Sequence, residues 1–162
     1  MKALVDAVQV CCPIDAVFAF ITHFSHVTLI FEHLSAVIPS QSGQRVEGSR
    51  YQQTRIVHGL RYNETVEVIR LKNNSCYTIR VRNFGIETDY DYRLAALSPA
   101  VTHIQLTKTA QAKGWSKLLL PLTHHVLTRP EHDGKHLQVL KAAIEKYCPS
   151  AIESQALSSG RE

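Results

Sequence analysis

The chain has 162 residues, 44% hydrophobic and 20% charged, which suits one domain with its own core and excludes a disordered or fibrous polymer. Its net charge of +4 comes without a block of Lys and Arg to track a phosphate backbone, so no nucleic-acid partner is expected. No run approaches the ~18 consecutive apolar residues of a membrane-spanning helix.

Lys2 and the apolar residues after it resemble the start of a secretion signal. Asp6 and Gln9 interrupt that run, Pro13 and Asp15 follow at once, and no small-residue cleavage site stands behind it. Residues 3–11 are therefore read as a first strand, and the cytoplasm is the expected location. Cys11, Cys12, Cys76 and Cys148 form no CxxC pair, which predicts free thiols in a reducing compartment. Pro13 suits the first turn of a helix, where its missing N–H costs nothing, and Asp15 adds charge that the helix dipole favours. Val17, Phe18, Ile21 and Phe24 mark one face of that helix to about residue 23. Ser25 is the expected N-cap of a second short helix carrying Val27, Ile30, Phe31 and Leu34. Residues 38–50 turn polar and predict a loop, with one short strand at 35–38 or at 44–47.

Five extended runs follow, at 50–58, 60–71, 76–84, 87–97 and 101–112. Gly59, Asn73 with Asn74, Gly85, and Ser98 with Pro99 separate them. These connections are too short for crossovers, so the runs pair as an antiparallel meander. A turn at Asn73 and Asn74 sets Val68 against Ile79, Val66 against Val81 and Glu64 against Asn83, with Glu67 opposite Arg80 on the other surface. A turn at Phe84 and Gly85 sets Arg82 against Glu87 and Arg80 against Asp89 outside, and Ile79 against Tyr90 and Tyr77 against Tyr92 inside. The last hairpin sets Leu94 against Ile104, Tyr92 against Leu106 and Tyr90 against Lys108. Each cross-strand pair is worth only ~0.2–1 kcal/mol, but a one-residue slip would carry every charge inside.

The rest of the chain has to cover the inner face. Trp115, Leu118, Leu119, Leu122 and Val126 form one apolar block, read as helical over 116–129 and bent by Pro121 and Pro130. Leu137, Leu140, Ile144 and Tyr147 share one face of a helix over about 133–147, with Asp133 as N-cap. Residues 149–162 carry few apolar groups and predict a loose tail, leaving 1–148 as a single domain.

The order is strand, two short helices, long meander, terminal helix. Val10-Cys11-Cys12-Pro13-Ile14-Asp15-Ala16-Val17-Phe18, Phe31, Gly48-Ser49-Arg50-Tyr51 and Leu140-Lys141-Ala142-Ala143-Ile144-Glu145 stand in that order. In this the chain resembles the START and birch-pollen-allergen superfamily (SRPBCC), and within it the polyketide cyclase/dehydrase-like branch. The resemblance implies an α+β helix-grip fold: a curved antiparallel sheet of six or seven strands around a long C-terminal helix. It also implies an apolar cavity between sheet and helix for a lipid, sterol, quinone, polyketide or other small hydrophobic molecule, which some members cyclise or dehydrate.

The strand register places Tyr62, Glu64, Tyr77, Asn83, Thr88, Tyr90, Tyr92 and Lys108 on the inward face. Polar groups there either orient a mostly apolar ligand or, in the bland alternative, fill core volume with their polar ends at the rim. Tyr90 beside Lys108 is the candidate catalytic pair, the ammonium stabilising an oxyanion during enolisation or dehydration. His132 and His136 with Asp133, and His124 with His125, fall short of three or four convergent ligands, so no metal is expected. Gly43 and Gly48 precede no helix and no Ser-His-Asp order is present, so no cofactor is expected. Three functions stay open: a carrier of a small hydrophobic or amphipathic ligand, a cyclase, aromatase or dehydratase using the same cavity, and an interaction module working through an apolar patch at Leu29, Ile30 and Leu118–Leu122.

Overall fold

The computed structural model describes residues 3–31, 34–39, 45–57, 59–83, 85–112 and 135–148. The expectations for 116–129, Asp133 and the tail lie outside these residues, as do His124, His125 and His132. Strand β1 (Ala3–Val10) leads into helix α1 (Ile14–Thr22), a single 3-10 turn (Phe24–His26) and helix α2 (Val27–Ile30). Strands β2 (Leu34–Pro39), β3 (Arg50–Val57), β4 (Leu60–Lys72), β5 (Cys76–Asn83), β6 (Ile86–Ser98) and β7 (Val101–Ala112) follow. Residues 135–148 form helix α3. The seven strands make one sheet in the order β1-β7-β6-β5-β4-β3-β2, every neighbour antiparallel. Of the two places considered for a short strand after α2, the chain uses the earlier one.

The helical segments after β1 start and stop differently from the sequence reading. Pro13 precedes α1 with extended backbone instead of lying in its first turn, and its carbonyl accepts the first helical bond, from Val17 N at 3.0 Å. α1 buries Val17, Phe20 and Ile21, and Phe18 packs at the margin of the core. His23, not Ser25, caps the following turn, its Nδ1 accepting from Ser25 N at 3.3 Å. α2 is only four residues long, and Leu34 already belongs to β2.

The meander keeps the expected pairs: Val68 with Ile79, Val66 with Val81, Tyr77 with Tyr92 and Tyr90 with Lys108. The turn geometry behind them differs. Lys72 pairs with Cys76, so the β4–β5 turn has three residues, with Asn74 at φ 50°. A one-residue bulge between Val68 and Arg70 absorbs the difference and restores the inner pairs. A second bulge, between Ala96 and Ser98, does the same beside the β6–β7 turn. On the outer face Arg80 forks onto Asp89 at 2.7 and 2.8 Å. Arg82 bonds Glu87, while Glu67 takes Arg50 and Arg82 rather than the Arg80 opposite it. Ionic partners on a flat face are set by side-chain reach as much as by register.

The core fills the inner face. Val66, Val68, Tyr77, Ile79, Tyr92 and Ile104 join Leu137, Leu140 and Ile144 of α3 in one buried cluster. Burying each such side chain contributes roughly 1.5–3 kcal/mol. The free-thiol expectation fails for two cysteines. The bend between β1 and α1 and the end of α3 bring the Cα atoms of Cys12 and Cys148 to 5.8 Å, and the two form a disulfide, leaving Cys11 and Cys76 free. Cys11 N also donates to Glu145 at 3.0 Å, a second tie to α3. No helix among the described residues is long and apolar enough to cross a membrane.

Candidate functional site

The segment leading into β3 is fastened to β4 beside the bulge. Gly48 N donates to Val68 O at 2.8 Å and Val68 N to Ser49 O at 2.9 Å. Glu47 accepts from Leu71 N at 3.0 Å. Gly48 carries φ 82°, a backbone region that side-chain-bearing residues disfavour. The turn it closes directs Arg45 inward. Arg45 is 3% exposed, an unusual place for a guanidinium.

Arg45 lies among aromatic rings, its guanidinium carbon 5.0 Å from the centroid of Phe24, 5.1 Å from Tyr51 and 5.2 Å from Tyr77. Its Nη1 donates to the Ile21 carbonyl at 3.3 Å and to the Tyr77 hydroxyl. Its Nε and Nη2 have no partner among the described residues, and neither does the Tyr51 hydroxyl. Burial pulls the guanidinium below its ordinary value, but an arginine stays charged. Burial pushes the Tyr51 phenol up, with Arg45 opposing, and pushes the Tyr92 phenol well up. Both phenols are therefore neutral near pH 7 and supply no counter-charge.

Beside Arg45 the sheet presents Tyr77 and Tyr92, stacked with centroids 6.0 Å apart. α3 contributes Leu140, and its His136 Nε2 shares a hydrogen bond with the Tyr92 hydroxyl at 2.7 Å. Ile21 lies in the last turn of α1, while Ile30 and Phe31 close the remaining side, the Phe31 ring centroid lying 4.8 Å from that of His136. Ile21, Ile30, Phe31, Arg45, Tyr77, Tyr92 and Leu140 line a void of about 10 Å³. That is room for about one water molecule. Small-molecule sites typically offer roughly 300–1,000 Å³. This void is therefore far smaller than the expected pocket.

The anticipated residues fall into separate groups. Tyr77 and Tyr92 line the void. Tyr90 is the next inward residue along β6, edge-on to Phe31 at 5.9 Å, with Lys108 Nζ 5.5 Å from its ring centroid. Glu64 is engaged elsewhere, accepting from Gln53 at 2.7 Å, Arg55 at 3.2 Å and Asn83 at 3.3 Å. Tyr62 and Thr88 are half-buried and do not line the void. Arg45, Tyr51 and Phe24 were not anticipated. A turn closed at Gly59 would have set Tyr51 against the inward Val66, as observed. Arg45, amid Gln, Ser and Gly, carries no periodic signal. Ile30 is buried, so it cannot join Leu29 in an exposed patch.

No protein-family model and no curated protein matches this sequence. Solved structures do match. Zhui aromatase/cyclase from Streptomyces sp. R1128 superposes with a TM-score of 0.65 at 16% identity, over 90% of this chain and 94% of that one. Truncated norcoclaurine synthase from Thalictrum flavum gives 0.67 at 12% identity, over 90% and 91%. A START superfamily protein from Mycobacterium smegmatis gives 0.63 at 12% identity, over 89% and 97%. The chain has the helix-grip fold. In this helix-grip chain the void lies between the gripping sheet and α3, with α1 and α2 across one side.

Proposed function

We propose that this helix-grip protein binds a small hydrophobic or amphipathic molecule between its sheet and α3. The observation that carries the reading is the wall composition: Ile21, Ile30, Phe31 and Leu140 with three polar groups, Arg45, Tyr77 and Tyr92. A mainly apolar lining with few convergent polar groups is the usual make-up of a small-molecule site. A void of about 10 Å³ requires a guest to displace side chains. α2 is only four residues long, and its Ile30 and the adjoining Phe31 are the groups to move. Native mass spectrometry of gently purified protein should retain a guest, or a panel of lipids, sterols, quinones and aromatic compounds should raise the melting temperature. A panel without a single hit would remove the proposal.

A second reading, an enzyme of cyclase or dehydratase type, draws on the names of two fold neighbours and on Lys108 over the face of Tyr90. It predicts that Lys108→Met and Tyr90→Phe abolish turnover of a poly-keto or aromatic substrate while affinity stays within roughly tenfold. Equal losses of binding and rate would leave these residues an orienting role only.

A further inference from the structure

We infer that the guest carries a carboxylate and that Arg45 receives it through Nε and Nη2. This rests on the binding reading above. Those two nitrogens flank one edge of the guanidinium plane, the edge that matches the two oxygens of a carboxylate in a side-on pair. The protein already uses the remaining nitrogen, Nη1, on Ile21 O and the Tyr77 hydroxyl. The unused edge belongs to a side chain only 3% exposed that lines the void. A buried charge without a partner is strongly unfavourable, and ring faces compensate it only in part.

No carboxylate among the described residues reaches Arg45. Glu47 is held on Leu71 N, and Glu64 is held by Gln53, Arg55 and Asn83. The Tyr51 hydroxyl, also unpartnered and buried beside the guanidinium, is a donor for the same anion. A neutral carbonyl or alcohol would fill the space and leave the charge uncompensated. The void of about 10 Å³ marks where the anionic end meets Arg45, and the carboxylate and its apolar remainder both take space now held by Phe31 and Ile30.

The experiment compares decanoate with decanol, and 2-naphthoate with 2-naphthalenemethanol, by calorimetric titration of the wild-type chain and of Arg45→Met. Wild type should bind each acid at least tenfold more tightly than its alcohol. Arg45→Met should lose that preference while still binding the alcohols. If wild type binds acid and alcohol equally, the carboxylate assignment is overturned and the binding site stands. If no probe of either pair binds wild type, both fall. Should Arg45→Met fail to fold, carboxyl-¹³C decanoate on wild type decides. Its bound signal should stay that of the ionised acid to a lower pH than in water, and an unshifted or raised titration overturns the assignment.

Discussion

At the scale of single residues, the outer face of the sheet shows how charge is stabilised by geometry. Glu67 accepts from Arg82 and Arg50, and these bonds hold its carboxyl below the ordinary value of 4.5. A depressed folded value means that the stabilisation is complete above the unfolded value and is lost as pH falls through the folded one. Arg50 and Arg82 are well exposed, so solvent screens the pairs and Glu67→Gln should cost only about 0.2–1 kcal/mol. Urea melts of both proteins should show a constant gap from pH 6 to 8 that closes below about pH 4.5. A gap that widens in acid would contradict this account. The inner face obeys a different rule. Its buried groups either find partners throughout, as Glu64 does, or only in part, as Arg45 does through Nη1, with Nε and Nη2 unpaired among the described residues.

At the scale of elements, hairpins compensate their own irregularities. The β4–β5 turn is one residue longer than a reading of its Asn pair suggests, and the bulge after Val68 cancels it. The inner pairs were legible because alternating burial tolerates only even displacements. The bulge was not legible, because one extra residue leaves no compositional mark. It also provides the dock for the turn at Gly48. There φ is 82° and an added Cβ would meet nothing within 4 Å, so Gly48→Ala should be penalised by the backbone alone. The expected cost is about 1–2 kcal/mol in chemical denaturation, with weaker guest binding because Arg45 follows the turn. A neutral substitution would show that this turn is free to change hand.

At the scale of the whole molecule, the disulfide joins positions 136 residues apart and ties the bend after β1 to the end of α3. Cross-linking so long a loop restricts the unfolded chain, and such bonds typically contribute about 2–4 kcal/mol. Reduction, or Cys12→Ser with Cys148→Ser, should lower stability by that amount, with far-ultraviolet circular dichroism unchanged. No loss on reduction would mean that α3 is held by its buried apolar face and the Cys11–Glu145 bond without help from the disulfide. The sequence by itself determined the succession of the meander strands, the inner cross-strand partners within it and the apolar stripe of α3, since each rests on a short-range period that local sterics impose. The pairing of β1 with β7, by contrast, joins residues about a hundred positions apart and carries no such mark. Only the tertiary structure decided the Cys12–Cys148 bond, the burial of Arg45 and its meeting with Tyr77 and Tyr92. Those groups are remote along the chain, and only the packing of α1, α2 and α3 onto the sheet makes them neighbours.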